Sequence, residues 1–262
     1  MIPVLIPDWS RLSEQLSRDG HVVVKNLVSP EQCDALAASY TQEEGPAGGV
    51  GPAGGIGLAG GIGLAGGIGP AGRTCFRSRV IMARHGYGRG EYKYFAYPLP
   101  EVVAGLRAAL YPKLAPIANR WNEQLRIPIR FPDRHEEFLE RCHAAGQTRP
   151  TPLLLRYTAG DYNCLHQDLY GEHVFPLQLT VLLSDPDQDF TGGEFVLTEQ
   201  RPRMQSRVHV VPLAKSDAVL FAVRHRPVQG TRGTYRVMLR HGVSELRSGH
   251  RHTLGIIFHD AK

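Results

Sequence analysis

Seven short apolar segments in the second half of this chain limit its fold more than any other feature of the sequence. Most are rich in β-branched or aromatic residues, and glycine, proline, aspartate and serine recur between them. Short strands between turn residues are typical of an all-β sandwich or jelly roll. The predicted strands are residues 153–157, 177–183, 194–197, 208–211, 218–222, 235–239 and 253–258.

The first half of the chain has a helical pattern instead. The stretch SRLSEQLSRDGHVVVKNLVSPEQCDALAASY predicts an amphipathic helix, a short strand at 21–24, and a second helix with Ser29 as N-cap, Pro30 at its first position and Gln32 at its third. LPEVVAGLRAALYPKLAPIANRWNEQL predicts helix interrupted near Pro112 and Pro116, and RHEEFLERCHAAG predicts another helix. We therefore expect an α+β fold: a jelly-roll core with flanking N-terminal helices, forming a single domain over residues 1–262.

A glycine-rich repeat at 45–72 interrupts this pattern, with glycine at every third position and a six-residue period. A collagen helix needs abundant proline and a long array, but the segment holds only three prolines. A hexapeptide β-helix needs several stacked coils, and four or five hexads are too few. We interpret the segment as a flexible insertion that tolerates deletion.

Composition and cysteine content predict a cytoplasmic protein. Of the 262 residues, 42% are hydrophobic and 21% are charged, which is an ordinary globular profile. The four cysteines form no CxxC pair, so neither a disulfide framework nor a zinc knuckle is expected. The N-terminal stretch MIPVLIPDWSRL lacks a basic region and is too short for a signal or membrane helix, so we expect no membrane contact.

The stretch YNCLHQDLYGEHVFP places His166 two residues before Asp168. In an extended segment these side chains share a face and can hold one ion, although a polar surface turn has the same pattern. A non-heme Fe(II) centre uses two histidines and one carboxylate and leaves its other positions open. The second histidine has several candidates: His209, His225, His241, His250, His252 and His259.

The context of His241 separates it from the other candidates. Arg251 follows it by ten residues, and on the predicted terminal strand Arg251 and Thr253 share a face. An arginine and a hydroxyl beside a metal can bind a dicarboxylate. This combination of HxD, distal histidine, arginine and threonine resembles the Fe(II)/2-oxoglutarate-dependent oxygenases. The GGEF motif at 192–195 and the stretch DGHVVVKNLVSPEQCDAL are similar to prolyl-hydroxylase-like members.

The resemblance implies an oxygenase with Fe(II), 2-oxoglutarate and O2 as its cofactor and co-substrates. It implies that His166, Asp168 and His241 are the metal ligands. Arg251 would bind the distal carboxylate of 2-oxoglutarate with help from Thr253, and further contacts are expected from Tyr157, Asn163, Gln178 and Thr180. Prolyl-hydroxylase-like members often carry a tyrosine near position 182, where this chain has Leu182, and this difference argues against a close prolyl hydroxylase.

A longer block, from FTGGEFVLTEQ to RVMLRHGVS, resembles a bacterial oxygenase family regarded as acting oxidatively on damaged, methylated nucleic acid bases. Hydroxylation of a methyl group on nitrogen releases formaldehyde, so such a site acts as a demethylase. Residues 201–251 contain ten arginines and one lysine against one aspartate and one glutamate, a balance of +9 in a chain of +5. This arginine-rich half of the chain suits phosphate recognition, but internal ion pairs would account for it equally.

An enzyme that acts on a base also needs an apolar platform for the extruded nucleotide. Aromatic candidates are Tyr87, Tyr92, Tyr94, Phe95, Tyr97, Tyr170 and Phe175, for which ordinary packing is the simpler interpretation. Two alternatives remain at this stage: a protein (prolyl-type) or small-molecule hydroxylase with the same metal site, and a noncatalytic jelly-roll binding module. The sequence gives no indication of oligomeric state.

Overall fold

The computed structural model describes residues 8–41 and 75–262, so the glycine-rich segment 45–72 lies outside the described residues. The described parts combine helices with two antiparallel sheets, which confirms the predicted mixture of helices and antiparallel strands. The helices are α1 (Trp9–Asp19), α2 (Pro30–Ser39), α3 (Glu101–Gln124) and α4 (His135–Ala144), with a 3-10 helix at Met82–His85.

Strands are numbered along the chain. The larger sheet has the order β1-β11-β7-β14-β5-β4-β2, with β8 paired to β14, and the smaller has the order β10-β9-β13-β6-β3, with β12 paired to β13. The larger sheet contains β1 (His21–Val24), β2 (Phe76–Ile81), β4 (Glu91–Phe95), β5 (Leu153–Thr158), β7 (Leu177–Leu182), β8 (Phe190–Gly192), β11 (Ala218–Ala222) and β14 (Leu246–Ile257). The smaller contains β3 (Gly88–Arg89), β6 (Tyr162–His166), β9 (Phe195–Gln200), β10 (Arg207–Val211), β12 (His225–Gly230) and β13 (Gly233–Val243).

The seven predicted strands all overlap observed strands, with the largest differences at β13 and β14, which are longer than predicted. The N-terminal cap of α2 is also confirmed. The Ser29 hydroxyl accepts from the Gln32 backbone, the Gln32 side chain accepts from the Ser29 backbone, and Pro30 occupies the first position. This capping box fixes where α2 begins.

Helix α3 contradicts the predicted interruption near Pro112 and Pro116, because it runs through both prolines. A proline inside a helix removes a backbone hydrogen bond and crowds the preceding turn. The helix continues because its buried side chains, among them Leu110, Leu114 and Trp121, belong to the main hydrophobic core. Tertiary packing, rather than local propensity, therefore determines the length of this helix.

The core lies on both faces of the larger sheet. Along β11, Ala218, Leu220 and Ala222 belong to the cluster that contains the helices, whereas Val219 and Phe221 pack with residues of β9 and β10. Strand β11 is therefore buried on both faces, as its unbroken apolar sequence requires. The described helices include none that is both long and apolar enough to cross a membrane.

Candidate metal centre and co-substrate cavity

Strands β6 and β13 bring the predicted metal ligands together. His241 and His166 are directly opposite each other in the antiparallel pairing, and Asp168 follows the end of β6. The His166 Nε2 lies 3.6 Å from Asp168 Oδ1, and the His241 Nε2 lies 3.4 Å from Asp168 Oδ2. One potential ligand atom from each residue lies within 4.8 Å of the other two. Within the described ranges this is the one such cluster of three.

A β-bulge in β6 determines which side chains of this strand face the cavity. His241 pairs with His166, but Val243 pairs with Asn163, so β6 contains one extra residue between these two positions. Both Asn163 and His166 consequently line the same cavity despite their odd spacing. Gly242 allows the close approach, because a Cβ at this position would lie 2.6 Å from the Asn163 carbonyl oxygen.

The surroundings of each histidine fix its orientation. The His166 Nδ1 lies 2.7 Å from the Cys164 carbonyl oxygen, which can only accept a hydrogen bond, so Nδ1 donates to it and Nε2 faces Asp168. His241 is buried next to Phe221 and Phe195, at ring distances of 4.7 and 6.1 Å. Burial and the charge of His166 lower the pKa of His241 against the opposing effect of Asp168.

A tyrosine holds the metal-site carboxylate. The Tyr170 hydroxyl donates to Asp168 Oδ1 at 2.8 Å, and the Tyr94 hydroxyl donates to the Tyr170 oxygen at 3.1 Å. Burial alone would raise the pKa of Asp168. The hydrogen bond from His241 and the charges of both histidines outweigh it and hold this pKa well below its ordinary value. Asp168 is therefore an ionised carboxylate in a buried position.

Arg251 is a buried cation beside this cluster, with 1% of its surface exposed. It lies on β14 opposite Tyr157, and its guanidinium is 5.6 Å from the Tyr157 ring and 5.8 Å from the Phe190 ring. Its Nε and Nη1 find no hydrogen-bond partner among the described residues. Burial lowers the pKa of Arg251 to about 10, although Tyr157 and Glu194 oppose this effect, so the side chain stays charged at neutral pH.

The glycines of the GGEF motif close one side of Arg251. Gly193 has a φ of +62°, and a Cβ there would lie 2.3 Å from Leu246 and 3.1 Å from the Arg251 side chain. Gly192 also has a positive φ, of +74°, and a Cβ there would lie 2.5 Å from the Glu245 carbonyl oxygen. Both positions require glycine, because the turn is left-handed and packs directly against β14.

One cavity of about 210 Å³ contains the histidines, Asp168 and Arg251 on its walls. The other predicted contacts also line it: Thr253, Tyr157, Asn163, Gln178 and Thr180. The Gln178 Oε1 is buried without a partner in the described part of the chain. Sequence reasoning missed several wall residues, namely Leu153, Leu155, Gln167, Phe195, Gly242, Val243 and Gly255. Gly255 had a sequence signal, since it lies within the predicted strand 253–258 and an isolated glycine in a strand pattern indicates a bulge or a close approach of another backbone.

These residues fit a divalent cation and a dicarboxylate. The His166 Nδ1 is engaged with a backbone carbonyl, so Nε2 is the ring atom available to a cation that also binds the ionised Asp168 carboxylate. Two imidazoles and one carboxylate are the ligand set of a non-heme Fe(II) centre. The unpaired donors of Arg251 are suited to a carboxylate in the same cavity.

Five of the candidate histidines do not line the cavity: His209, His225, His250, His252 and His259. The aromatic candidates divide into two groups. Tyr87, Tyr92 and Tyr170 line the cavity, whereas Tyr94, Phe95 and Phe175 are buried elsewhere and the Tyr97 hydroxyl donates to Asp260. Part of the predicted platform is thus ordinary core packing.

The arginine-rich half of the chain does not form a lining for the cavity. Of its ten arginines, Arg251 alone is a wall residue, and Arg226 and Arg201 form ion pairs with Glu199. The other seven are exposed: Arg203, Arg207, Arg224, Arg232, Arg236, Arg240 and Arg247. Arg240 is adjacent to His241 on β13, so it points to the opposite face of the sheet. These positions give no support to the interpretation that the arginine-rich half of the chain binds the phosphates of a substrate, and two of its arginines form the internal ion pairs of the alternative.

Comparison with known proteins places this site in a family. The Oxygenase-NA family model, described as an oxygenase catalysing oxidative methylation of damaged DNA, matches residues 90–261. An uncharacterized protein of Mycobacterium tuberculosis, MT2286 in strain CDC 1551 and Rv2227 in strain H37Rv, is 48% identical over 190 residues. The match covers 71% of this chain and 82% of the relative.

Solved structures with a similar overall arrangement include a Pseudomonas putida prolyl-4-hydroxylase, with a TM-score of 0.46 and 12% identity over 97% of this chain and 99% of that one. A 2OG-Fe(II) family oxidoreductase from Burkholderia pseudomallei has a TM-score of 0.46 and 16% identity, covering 97% and 92% of the two chains.

The family match spans more than half of the chain and includes His166, Asp168, His241 and Arg251. These are the residues that the structure gathers around one cavity. The chain belongs to the Oxygenase-NA family and is an oxidoreductase that uses Fe(II), 2-oxoglutarate and O2.

Proposed function

We propose that the protein oxidatively removes alkyl groups from damaged bases of DNA or RNA. The observation that carries the proposal is the convergence of His166, Asp168, His241 and Arg251 on one cavity, within a family described by its action on damaged DNA. Oxygen chemistry at such a site oxidises the methyl carbon. We therefore infer that methyl groups are removed from the base, with release of formaldehyde, rather than added to it.

Seven of the wall residues have a role in this proposal. His166, Asp168 and His241 would hold Fe(II), which together with 2-oxoglutarate and O2 supplies the oxidation of an unreactive C–H bond. Arg251 would bind the distal carboxylate of 2-oxoglutarate, and Thr253 would add a hydroxyl on the same face of β14. Tyr157 and Asn163, whose side chains are 3.4 Å apart, would limit the space beside Arg251.

We further infer that one oxygenase domain with a double-stranded β-helix core spans residues 1–262. The strand orders support this inference. Four strands of the larger sheet run β11-β7-β14-β5, four of the smaller run β10-β9-β13-β6, and the chain crosses repeatedly between the two sheets. Eight strands in two facing antiparallel sheets are the arrangement of a jelly roll.

A product assay tests the proposed function. The Fe(II)-loaded protein would be incubated with 2-oxoglutarate and one of four substrates: methylated oligonucleotides, the same oligonucleotides without methyl groups, proline-containing peptides, or methylated metabolites. We expect formaldehyde and succinate in equal amounts from the methylated oligonucleotides. Asp168→Ala should abolish both products, because it removes the charged metal ligand. Hydroxylation of peptides or metabolites without any reaction on oligonucleotides would replace this proposal with the hydroxylase alternative.

A further inference from the structure

The segment 84–89, which we call the mouth segment, combines exposed aromatic and basic side chains at the edge of the cavity. Tyr87 lines the cavity and is 49% exposed, so it marks the cavity mouth. The rings of His85 and Tyr87 are 5.3 Å apart and inclined by 22°, which is a stacked pair. An exposed stacked pair beside a reaction site provides a flat aromatic surface to a ligand.

The mouth segment is attached to the strand that carries His166. Gly88 and Arg89 form β3 and pair with Asn163 and Tyr162 of β6. The Cys164 backbone N–H donates to the Tyr87 carbonyl at 2.9 Å, and the Tyr87 backbone N–H donates to the Met82 carbonyl at 3.2 Å. The aromatic pair is therefore held at a fixed position relative to the metal ligands.

Glycine is required for this attachment. Gly88 has a φ of +120°, and a Cβ there would lie 2.4 Å from the Tyr162 carbonyl oxygen. A side chain at this position would push the mouth segment away from β6. The GYGRG sequence therefore places the aromatic pair against β6, although it contributes no side chain to the core.

The charge of the mouth segment matches an anionic ligand. Arg84 and Arg89 are exposed, and neither forms an ion pair with a carboxylate in residues 8–41 or 75–262. Tyr162, 37% exposed, is paired with Arg89 across the strands, so a second aromatic ring is beside this cation. Guanidinium groups bind phosphates, and aromatic faces stack on bases.

The exposed arginines of the smaller sheet form the alternative surface on which a nucleic acid could bind. Arg236 and Arg240 lie on β13 with Met238 between them, and all three are on the face opposite to His241. A nucleic-acid strand bound to these three residues would lie on the opposite side of the sheet from the cavity. The mouth segment, in contrast, contributes Tyr87 to the cavity wall itself.

We propose that the mouth segment is the nucleic-acid binding surface of this enzyme and takes a single-stranded segment. His85 and Tyr87 stack on a base next to the damaged one, and Arg84 and Arg89 contact the phosphates on either side. This inference rests on the proposed function, because it assigns the substrate of the same cavity.

Binding of a fluorescent single-stranded oligonucleotide with one N-methylated adenine tests the proposal, measured by anisotropy with Mn(II)- and 2-oxoglutarate-loaded protein. Tyr87→Leu keeps bulk in the cavity wall but removes the π face, and it should weaken binding by about 5- to 150-fold. Tyr87→Phe retains the ring and should bind like the wild type. The double change Arg84→Ala and Arg89→Ala should lower the dependence of log K on log salt by roughly 1 to 2.

Arg203→Ala combined with Arg207→Ala is the matched control, because it removes two exposed arginines of the turn and strand that follow β9. It should change affinity less than the Arg84 and Arg89 pair does. If the wild type binds and demethylates the oligonucleotide but Tyr87→Leu binds equally well, the surface is elsewhere and the proposed function stands. If the wild type neither binds nor demethylates it, both proposals are wrong.

Discussion

Arg251 allows a test in which loss of function and gain of stability occur in the same variant. The guanidinium is buried, and its Nε and Nη1 have no partner in the described part of the chain. Burial lowers its pKa from 12.5 to about 10. At about 1.4 kcal/mol per pH unit, a pKa difference of this size corresponds to ~3 kcal/mol. Because the pKa of a cation is lowered, the charged form destabilises the folded state at pH 7.

Replacing Arg251 with methionine removes this charge and keeps much of the side-chain length. The shorter methionine leaves part of the guanidinium space empty, so part of the gain is lost to weaker packing. We expect the free energy of unfolding of the metal-free protein to rise on the order of 2 kcal/mol, or roughly 4–8 °C in Tm. Scanning calorimetry or urea unfolding measures this change. The control Arg247→Met, at an exposed position of the same strand, should stay within about 0.5 kcal/mol of the wild type.

The same variant should lose its response to the co-substrate. A ligand that binds only the folded state at about 100 times its Kd stabilises it by ~3 kcal/mol. With Mn(II) present, 2-oxoglutarate should therefore raise the Tm of the wild type and of Arg247→Met, but not that of Arg251→Met. A variant that is less stable than the wild type without ligands, and still responds to 2-oxoglutarate, would show that Arg251 has an internal structural partner instead.

Two further substitutions test how the metal site is held. Tyr170→Phe removes the hydroxyl that donates to Asp168 Oδ1 and should lower the affinity for Co(II) by about 10- to 100-fold. Visible absorption during a Co(II) titration measures this, and unchanged affinity would mean that Asp168 needs no positioning. Gly242→Ala places a Cβ 2.6 Å from the Asn163 carbonyl oxygen, so it should destabilise the protein by about 1–3 kcal/mol and weaken Co(II) binding. A normal Tm with normal Co(II) affinity would contradict the importance of the bulge.

The sequence predicted seven of the eight strands in the runs β11-β7-β14-β5 and β10-β9-β13-β6, all except β6, because their apolar segments are short and bounded by turn residues. It did not predict β12, in which Pro227 argues against a strand. This proline is tolerated because β12 pairs only with β13 and lies at a sheet edge. On its other side there is no neighbouring strand that would need the N–H that proline lacks. It also did not predict β4, in which the polar Glu91 and the buried Lys93 alternate with tyrosines. Both segments are strands because of the neighbouring strands with which they pair, and a single sequence does not specify those partners.

The spacing of the metal-site residues was informative because each pair lies within one local segment. His166 and Asp168 are two residues apart, and Arg251 and Thr253 are on alternate positions of one strand. The contacts between segments had no such signal. The opposition of His241 and His166 depends on strand register, and the hydrogen bond from Tyr170 depends on the turn after β6. Their roles as ligands and anchors remain predictions that the experiments above test.

The net charge of 201–251 does not locate a substrate surface, because a sum of charges contains no information on which face of a strand each side chain occupies. Along β13 the side chains alternate, so His241 points into the cavity while Arg240 points away from it. Arg226 is buried against Glu199, which makes it part of the fold and removes it from any binding surface. Two arginines beside a stacked aromatic pair at the cavity mouth, Arg84 and Arg89, contribute little to the total charge. We propose them as the phosphate contacts because they lie at the cavity mouth, within reach of a substrate that enters the cavity.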